Sequence, residues 1–332
     1  MKKLLVIITF NCFFATLFSQ TGGNTVYSFL NLTHSAYVSS IGGANVSTLS
    51  NDPNMAYHNP ALLDSTMDNG VALDFVNYFA GINYGMVMYA RSFEGVGNFG
   101  LGITYLNYGS LIEADASSLI IGSFTGAEYA MSLIYSRSVD SLFTVGVNLK
   151  PIISHLESYT SFGVVIDAGV SWHSKNELFS AGITFKNIGA QITSYSGESK
   201  QRTPFEIQAG VSQKLPYAPF RFSLTARHLE KFDLTHDYNT GSDFGENLLR
   251  HLLLGVELIP HKNFYLSGGY NHQRRSELKV DAKRSAAGLS WGFGVKTSTI
   301  DIEFARAAYH LAGSSNHISV IFRPSMMTRK NW

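Results

Sequence analysis

The chain has 332 residues, of which 45% are apolar, 13% aromatic and only 15% charged, against about 25% charged in an ordinary soluble domain. Its formal charge of +1 offers no basic field, so no nucleic-acid partner is expected. The 30 glycines, 17 tyrosines and 23 phenylalanines suit twisted strands with aromatic rims and argue against packed helices.

Residues 1–19 read as a secretory leader: Lys2-Lys3, an apolar run from Leu4 to Phe18, then Ser19 before Gln20 and Thr21. The run includes Asn11 and stops short of the roughly twenty residues that span a bilayer as a helix. The single cysteine, Cys12, lies inside the leader ahead of Phe13-Phe14, without the small neighbours of a lipid-modified cysteine. The exported chain is therefore expected to have no disulfide framework, and loss of Lys2 and Lys3 brings its charge to about −1.

Residues 20–69 carry no strand periodicity. Gly22-Gly23 and Gly42-Gly43 are flexible joints, Asn59-Pro60 is a turn signal, and Pro60 opens a short helix through Ala61, Leu62 and Leu63. A plain tail is the bland alternative, but Val26, Tyr27, Phe29, Leu30, Leu32 and Ile41 are too apolar for a disordered segment. The stretch is expected to sit in the lumen of a barrel as a hatch.

From residue 70 to 324 the pattern alternates with period two, as in Phe162 to His173, where Phe, Val, Ile, Ala, Val and Trp share one face. Candidate strands begin near Val71, Ile82, Phe99, Tyr129, Phe143, Phe162, Phe179, Phe205, Phe220, Leu252, Phe264, Ala287, Ile300 and Ile318. About fourteen antiparallel strands, an even number able to supply the nine to eleven residues of a tilted crossing, predict an all-β outer-membrane barrel. Residues 325–332 are left as a tail.

The connections sort by parity. Short turns fall at Glu94-Gly95, Val139-Asp140, Ser174 to Asn176, Pro216-Tyr217, Pro260-His261 and Ser298. Longer loops run from Ser110 to Ala127, Gly189 to Thr203, Lys231 to Leu249 and Gln273 to Arg284; Phe79 to Gly81 is the short exception. Barrels of the outer membrane have this asymmetry and a soluble sandwich has no reason for it.

Lipid admits only apolar side chains, so the face bearing Lys150, Asp167, Lys186, Glu206, Arg221, Arg227, Glu257, Asp301 and Glu303, with Gly100, Gly146, Gly182, Gly210, Gly255, Gly269 and Gly292 among them, must point inward. The two signs are balanced, and so many glycines suggest water or an inserted segment within. On these positions the lumen is expected to be polar and poorly suited to apolar cargo.

No catalytic constellation stands out, and no cofactor or metal is expected. Ser276-Glu277-Leu278-Lys279 matches S-x-x-K, but in a charged loop rather than at a helix start. His155-Leu156-Glu157 and His228-Leu229-Glu230 lack the spacing of a zinc-binding pair. The cluster Arg274, Arg275, Lys279, Lys283 and Arg284 reads as a solvated loop.

The opening GGNTVYSFLNLTHSA, then SIGGANVSTLSNDPNMAYHNPALL, and the pair TYLNYGSLIEAD and LIIGSFTGAEYA resemble the PorQ family of the type IX secretion system, within the wider group of barrels related to the long-chain fatty-acid transporter. The resemblance implies a fourteen-stranded barrel whose hatch motif falls on Asn59, Pro60 and Ala61. It also implies a non-enzymatic anchor for a PorZ-like soluble surface protein and other attachment-complex subunits, next to outer-membrane lipopolysaccharide. Tyr195, Phe232, Tyr238 and Phe244 in the long loops are the aromatics expected to bind that partner. The competing expectation is an outer-membrane transport channel for hydrophobic small molecules.

Overall fold

The computed structural model describes residues 25–197, 199–234, 244–278, 286–310 and 313–324. The leader at 1–19, the first residues of the hatch segment, Tyr238, and the tail at 325–332 lie outside the described residues. Among those described, fourteen strands close an antiparallel barrel in which each strand pairs with its sequence neighbours and the last pairs with the first. No helix among them is long and apolar enough to cross a membrane.

The strands are β1 (Val71–Asn77), β2 (Asn83–Phe93), β3 (Gly97–Ala114), β4 (Ile120–Ser138), β5 (Phe143–Leu156), β6 (Tyr159–His173) and β7 (Phe179–Thr193). They continue with β8 (Glu206–Lys214), β9 (Phe220–Ala226), β10 (Leu252–His261), β11 (Phe264–Asn271), β12 (Leu289–Lys296), β13 (Ile300–His310) and β14 (Gly313–Phe322). Period two dictates the wall: in β1, Ala72, Asp74 and Val76 are buried while Leu73 and Phe75 face out. The same alternation around the ring gives an apolar belt. At its short-turn end a chain of rings, Phe93 on Phe99, Phe99 on Tyr135 and Trp172 between Phe143 and Phe179, marks an aromatic girdle.

The stretch expected as an open loop from Ser110 to Ala127 is instead largely strand. β3 and β4 stay paired to Ala114 and Ile120, whereas β2 leaves β3 at Asn107 and β5 joins β4 only at Gly126. A two-stranded ribbon therefore projects past the rim. Two other long loops hold short helices, α3 (Phe244–His251) and α4 (His272–Leu278).

Candidate functional site

The hatch occupies the lumen from one mouth to the other. Thr25 bridges Arg202 in the long loop after β7, and the segment ends at Gly70, where β1 begins at the short-turn end. Between them lie α1 (Ala36–Ser40), started by Ser35 accepting the Val38 N–H, α2 (Met55–His58), and a 3-10 turn at Pro60–Leu62.

Asn59 builds that turn. Its Oδ1 accepts the Ala61 N–H at 3.0 Å, and its Nδ2 donates to the carbonyls of Val46 at 2.8 Å and Val170 at 3.2 Å. One side chain thus shapes the turn and ties it to β6. The wall receives it through missing side chains: a Cβ on Gly146 would lie 2.4 Å from the Pro60 carbonyl carbon, one on Gly169 would lie 2.0 Å from Asn59 Oδ1, and one on Gly182 would lie 2.0 Å from the Val46 oxygen. Such approaches are closer than real Cβ atoms tolerate, so β5, β6 and β7 form a glycine seat for Asn59, Pro60 and Ala61. A second seat holds the end of α1, where a Cβ on Gly269 would lie 2.1 Å from the Gly42 nitrogen. The inward glycines make room for polypeptide rather than for water.

Hydrogen bonds fasten the rest of the hatch. Tyr27 meets Ser161 at 2.6 Å, Tyr37 donates to Glu257 at 2.7 Å, Tyr84 donates to the Thr33 carbonyl at 2.9 Å, and Asn54 donates to Asp74 at 3.0 Å. Burial holds the His34 imidazole down at about 3 and the His58 imidazole well below its usual range, with the Lys186 ammonium adding to both effects. Both rings are neutral at pH 7.

The lumen is not uniformly polar, which corrects the expectation from sequence. Met86, Met88 and Ile321 point inward against Tyr37, Met55, Leu63 and Met67, while Val76, Leu106, Ile152 and Val165 enclose Val26, Phe29 and Leu30. Each fully buried large side chain of this kind contributes about 1.5–3 kcal/mol. Most of the charged positions lie on the other side of the ring and, Lys186 excepted, pair within the wall. Lys150 reaches Asp167 at 2.7 Å, Arg227 grips Glu206 with two bonds of 2.6 and 2.9 Å, Arg221 faces Glu257 at 3.4 Å, and Arg323 holds Asp301.

The three loop aromatics among the described residues are not one surface. Tyr195 turns into the mouth, donating to Ser154 at 2.6 Å and packing on the hatch cluster. Phe232 and Phe244 are exposed and pack on each other with tilted rings, centroids 5.5 Å apart. The basic cluster also differs from a solvated loop at Arg274, whose guanidinium lies 4.0 Å over the Tyr309 ring. Ser276, expected in a loop, lies in α4 and donates to Glu246 at 3.0 Å. Lys279, Lys283 and Arg284 are outside the described residues. Sequence reasoning missed Gly169 as a seat residue and the exposed Ile112, Leu119, Ile120 and Ile121 of the ribbon and its tip, whose side chains are 58–69% exposed; bulky apolar residues clustered at a connection were the available signal.

No protein-family model and no curated protein matches the sequence. Solved structures do. The Pseudomonas putida toluene transporter TodX is 11% identical, covering 87% of this chain and 96% of its own at a TM-score of 0.55. The deltaS2 mutant of TodX, a monoaromatic hydrocarbon channel, is 12% identical over 89% of this chain and 98% of its own at 0.54. CymD, another monoaromatic hydrocarbon channel, is 11% identical over 88% and 96% at 0.51. None of these likenesses points to PorQ. What they share with this chain is the fold: it is a closed fourteen-stranded β-barrel of the kind seen in these hydrocarbon channels.

Proposed function

We propose that this barrel is a hatch-gated conduit by which small apolar molecules cross the outer membrane. The observation that carries the reading is the apolar side of the lumen, from Val76 and Leu106 to Met86 and Met88, with the hatch laid against it. Shifting the hatch would bare two apolar patches along β1 to β3, with Asp74 and Thr104 flanking Met86 between them, a lining that an apolar solute can use. The hydrocarbon channels of similar fold support the same reading. The test uses Ser40 of the hatch and Ser267 of β11, whose hydroxyl oxygens lie 2.6 Å apart, in a Ser40→Cys, Ser267→Cys pair. Cells with the reduced pair should take up labelled toluene several-fold faster than cells without the barrel, and oxidation should abolish the gain. Uptake indifferent to the lock would sink the gating idea.

A second reading, an anchor for a PorZ-like soluble partner, is favoured by the ribbon, since both its outer edges lack a third strand among the described residues and its side chains include exposed isoleucines. Open edges and apolar side chains suit strand addition by a partner. Exchanging residues 110–125 for a short glycine-serine turn should release such a partner into the medium and leave toluene uptake unchanged. A partner that stays on the cell surface rules the ribbon out as its dock.

A further inference from the structure

Beside the glycine seat, hatch and wall enclose a cavity of about 10 Å³, lined by Asn31, Thr33 and His58 from the hatch and by Lys186, Glu206 and Arg227 from the wall. Lys186, on β7, is 4% exposed. Its ammonium lies 5.1 Å over the Tyr57 ring, yet among the described residues no hydrogen-bond acceptor and no carboxylate within 4.0 Å serves it. An ammonium has three N–H donors and is costly to bury without acceptors. His58 is 3% exposed, and its Nε2 is also without a partner.

The charges that line the cavity do not cancel. From the β8 and β9 side, Glu206 is already neutralised by the two-bond grip of Arg227, and it takes a further bond from Gln208 at 2.8 Å. From β5 and β6, Lys150 and Asp167 neutralise each other at 2.7 Å. The hatch offers only His58 and His34, both neutral. Among the charged groups that line the cavity, Lys186 and Arg227 stand against Glu206 alone, so one positive charge is left over; Glu230, which also acts on Arg227, lies off the lining and is engaged by the His228 ring and the Ile207 N–H. A water molecule would accept the Lys186 hydrogen bonds and leave the excess charge buried, whereas a small anion answers both.

We infer that a single small inorganic anion, chloride in ordinary saline, is held between Lys186, Arg227 and His58 and clips the hatch to the wall. The cavity has room for about one water-sized body, so an anionic group carrying a tail is excluded and the site is separate from any transported solute. Because the ion touches His58 on the hatch and Lys186 on the wall, it stabilises the seated hatch by mass action.

The test follows amide hydrogen exchange of residues 33–44 and 55–63 in the full chain in detergent, in sodium chloride and in sodium gluconate at equal ionic strength. Exchange should be about tenfold slower in chloride, a shift of about 1.4 kcal/mol in the opening equilibrium. Lys186→Met should erase the difference while the unboiled protein still runs as a folded barrel. Crystals grown in bromide should show anomalous density at Lys186 Nζ, which decides the matter even if that variant does not fold. No chloride effect in the wild type, an effect that survives Lys186→Met, or a site without bromide signal overturns the inference.

Discussion

Deleting residues 24–64 is expected to turn a closed barrel into an open pore. Planar bilayers should show stepwise currents with the deleted form and none with the full chain. The strand pairing involves no hatch residue, and the buried charge pairs Lys150–Asp167, Arg227–Glu206 and Arg221–Glu257 join wall to wall, so they survive the deletion. The apolar residues left behind, such as Met86 and Leu106, lose their cover to lumen water at about 25 cal/mol per Å² exposed. That loss lowers stability without removing a strand contact. A ring of fourteen strands lies between the eight whose side chains fill the interior and the sixteen or more that leave an aqueous channel. With inward positions as small as Gly146, Gly169 and Gly269, it should conduct once emptied. Unchanged conductance would show that the segment does not close the lumen.

Strand existence was legible because lipid outside and polypeptide inside impose opposite demands on alternate residues. β5, β7, β9, β10, β11 and β13 begin at Phe143, Phe179, Phe220, Leu252, Phe264 and Ile300, where the alternation starts. β4 begins at Ile120 rather than near Tyr129, because its first residues pair only with β3 and have no buried face, so no sidedness appears in the sequence. The apolar side of the lumen was hidden for a related reason. Met86-Val87-Met88-Tyr89 is apolar on both faces, and a period of two cannot tell inward from outward there. Tyr195 and Phe232 look alike as loop aromatics, yet one plugs the mouth and the other faces solvent. Asn59 and Pro60 could be read as a turn from their chemistry alone. Their seat could not, since it depends on which glycines the register of β5, β6 and β7 sets side by side.

Gly169→Val should unseat the hatch without opening the wall. The new Cβ would lie 2.0 Å from Asn59 Oδ1 and 3.1 Å from the Pro60 ring. β6 cannot retreat, because it is hydrogen-bonded to β5 on one side and β7 on the other. The displaced party is therefore the hatch turn, and with it go the bonds from Asn59 to the Val46 and Val170 carbonyls. Overpacking of about 1–3 kcal/mol and two hydrogen bonds of about 1 kcal/mol each together disfavour the seated state by about 3 kcal/mol or more, a shift of roughly a hundredfold. The variant should leak ions intermittently and be cleaved within residues 24–64 by added protease, while running as a folded barrel before boiling. Gly268→Val is the matched control: its added Cβ meets only the Ser290 carbonyl oxygen, at 3.9 Å, so it should leave the hatch closed and protected. If Gly169→Val is as tight and as protease-resistant as this control, the close approach at Asn59 does not hold the hatch, and closure must rest on the apolar clusters and the tyrosine hydrogen bonds instead.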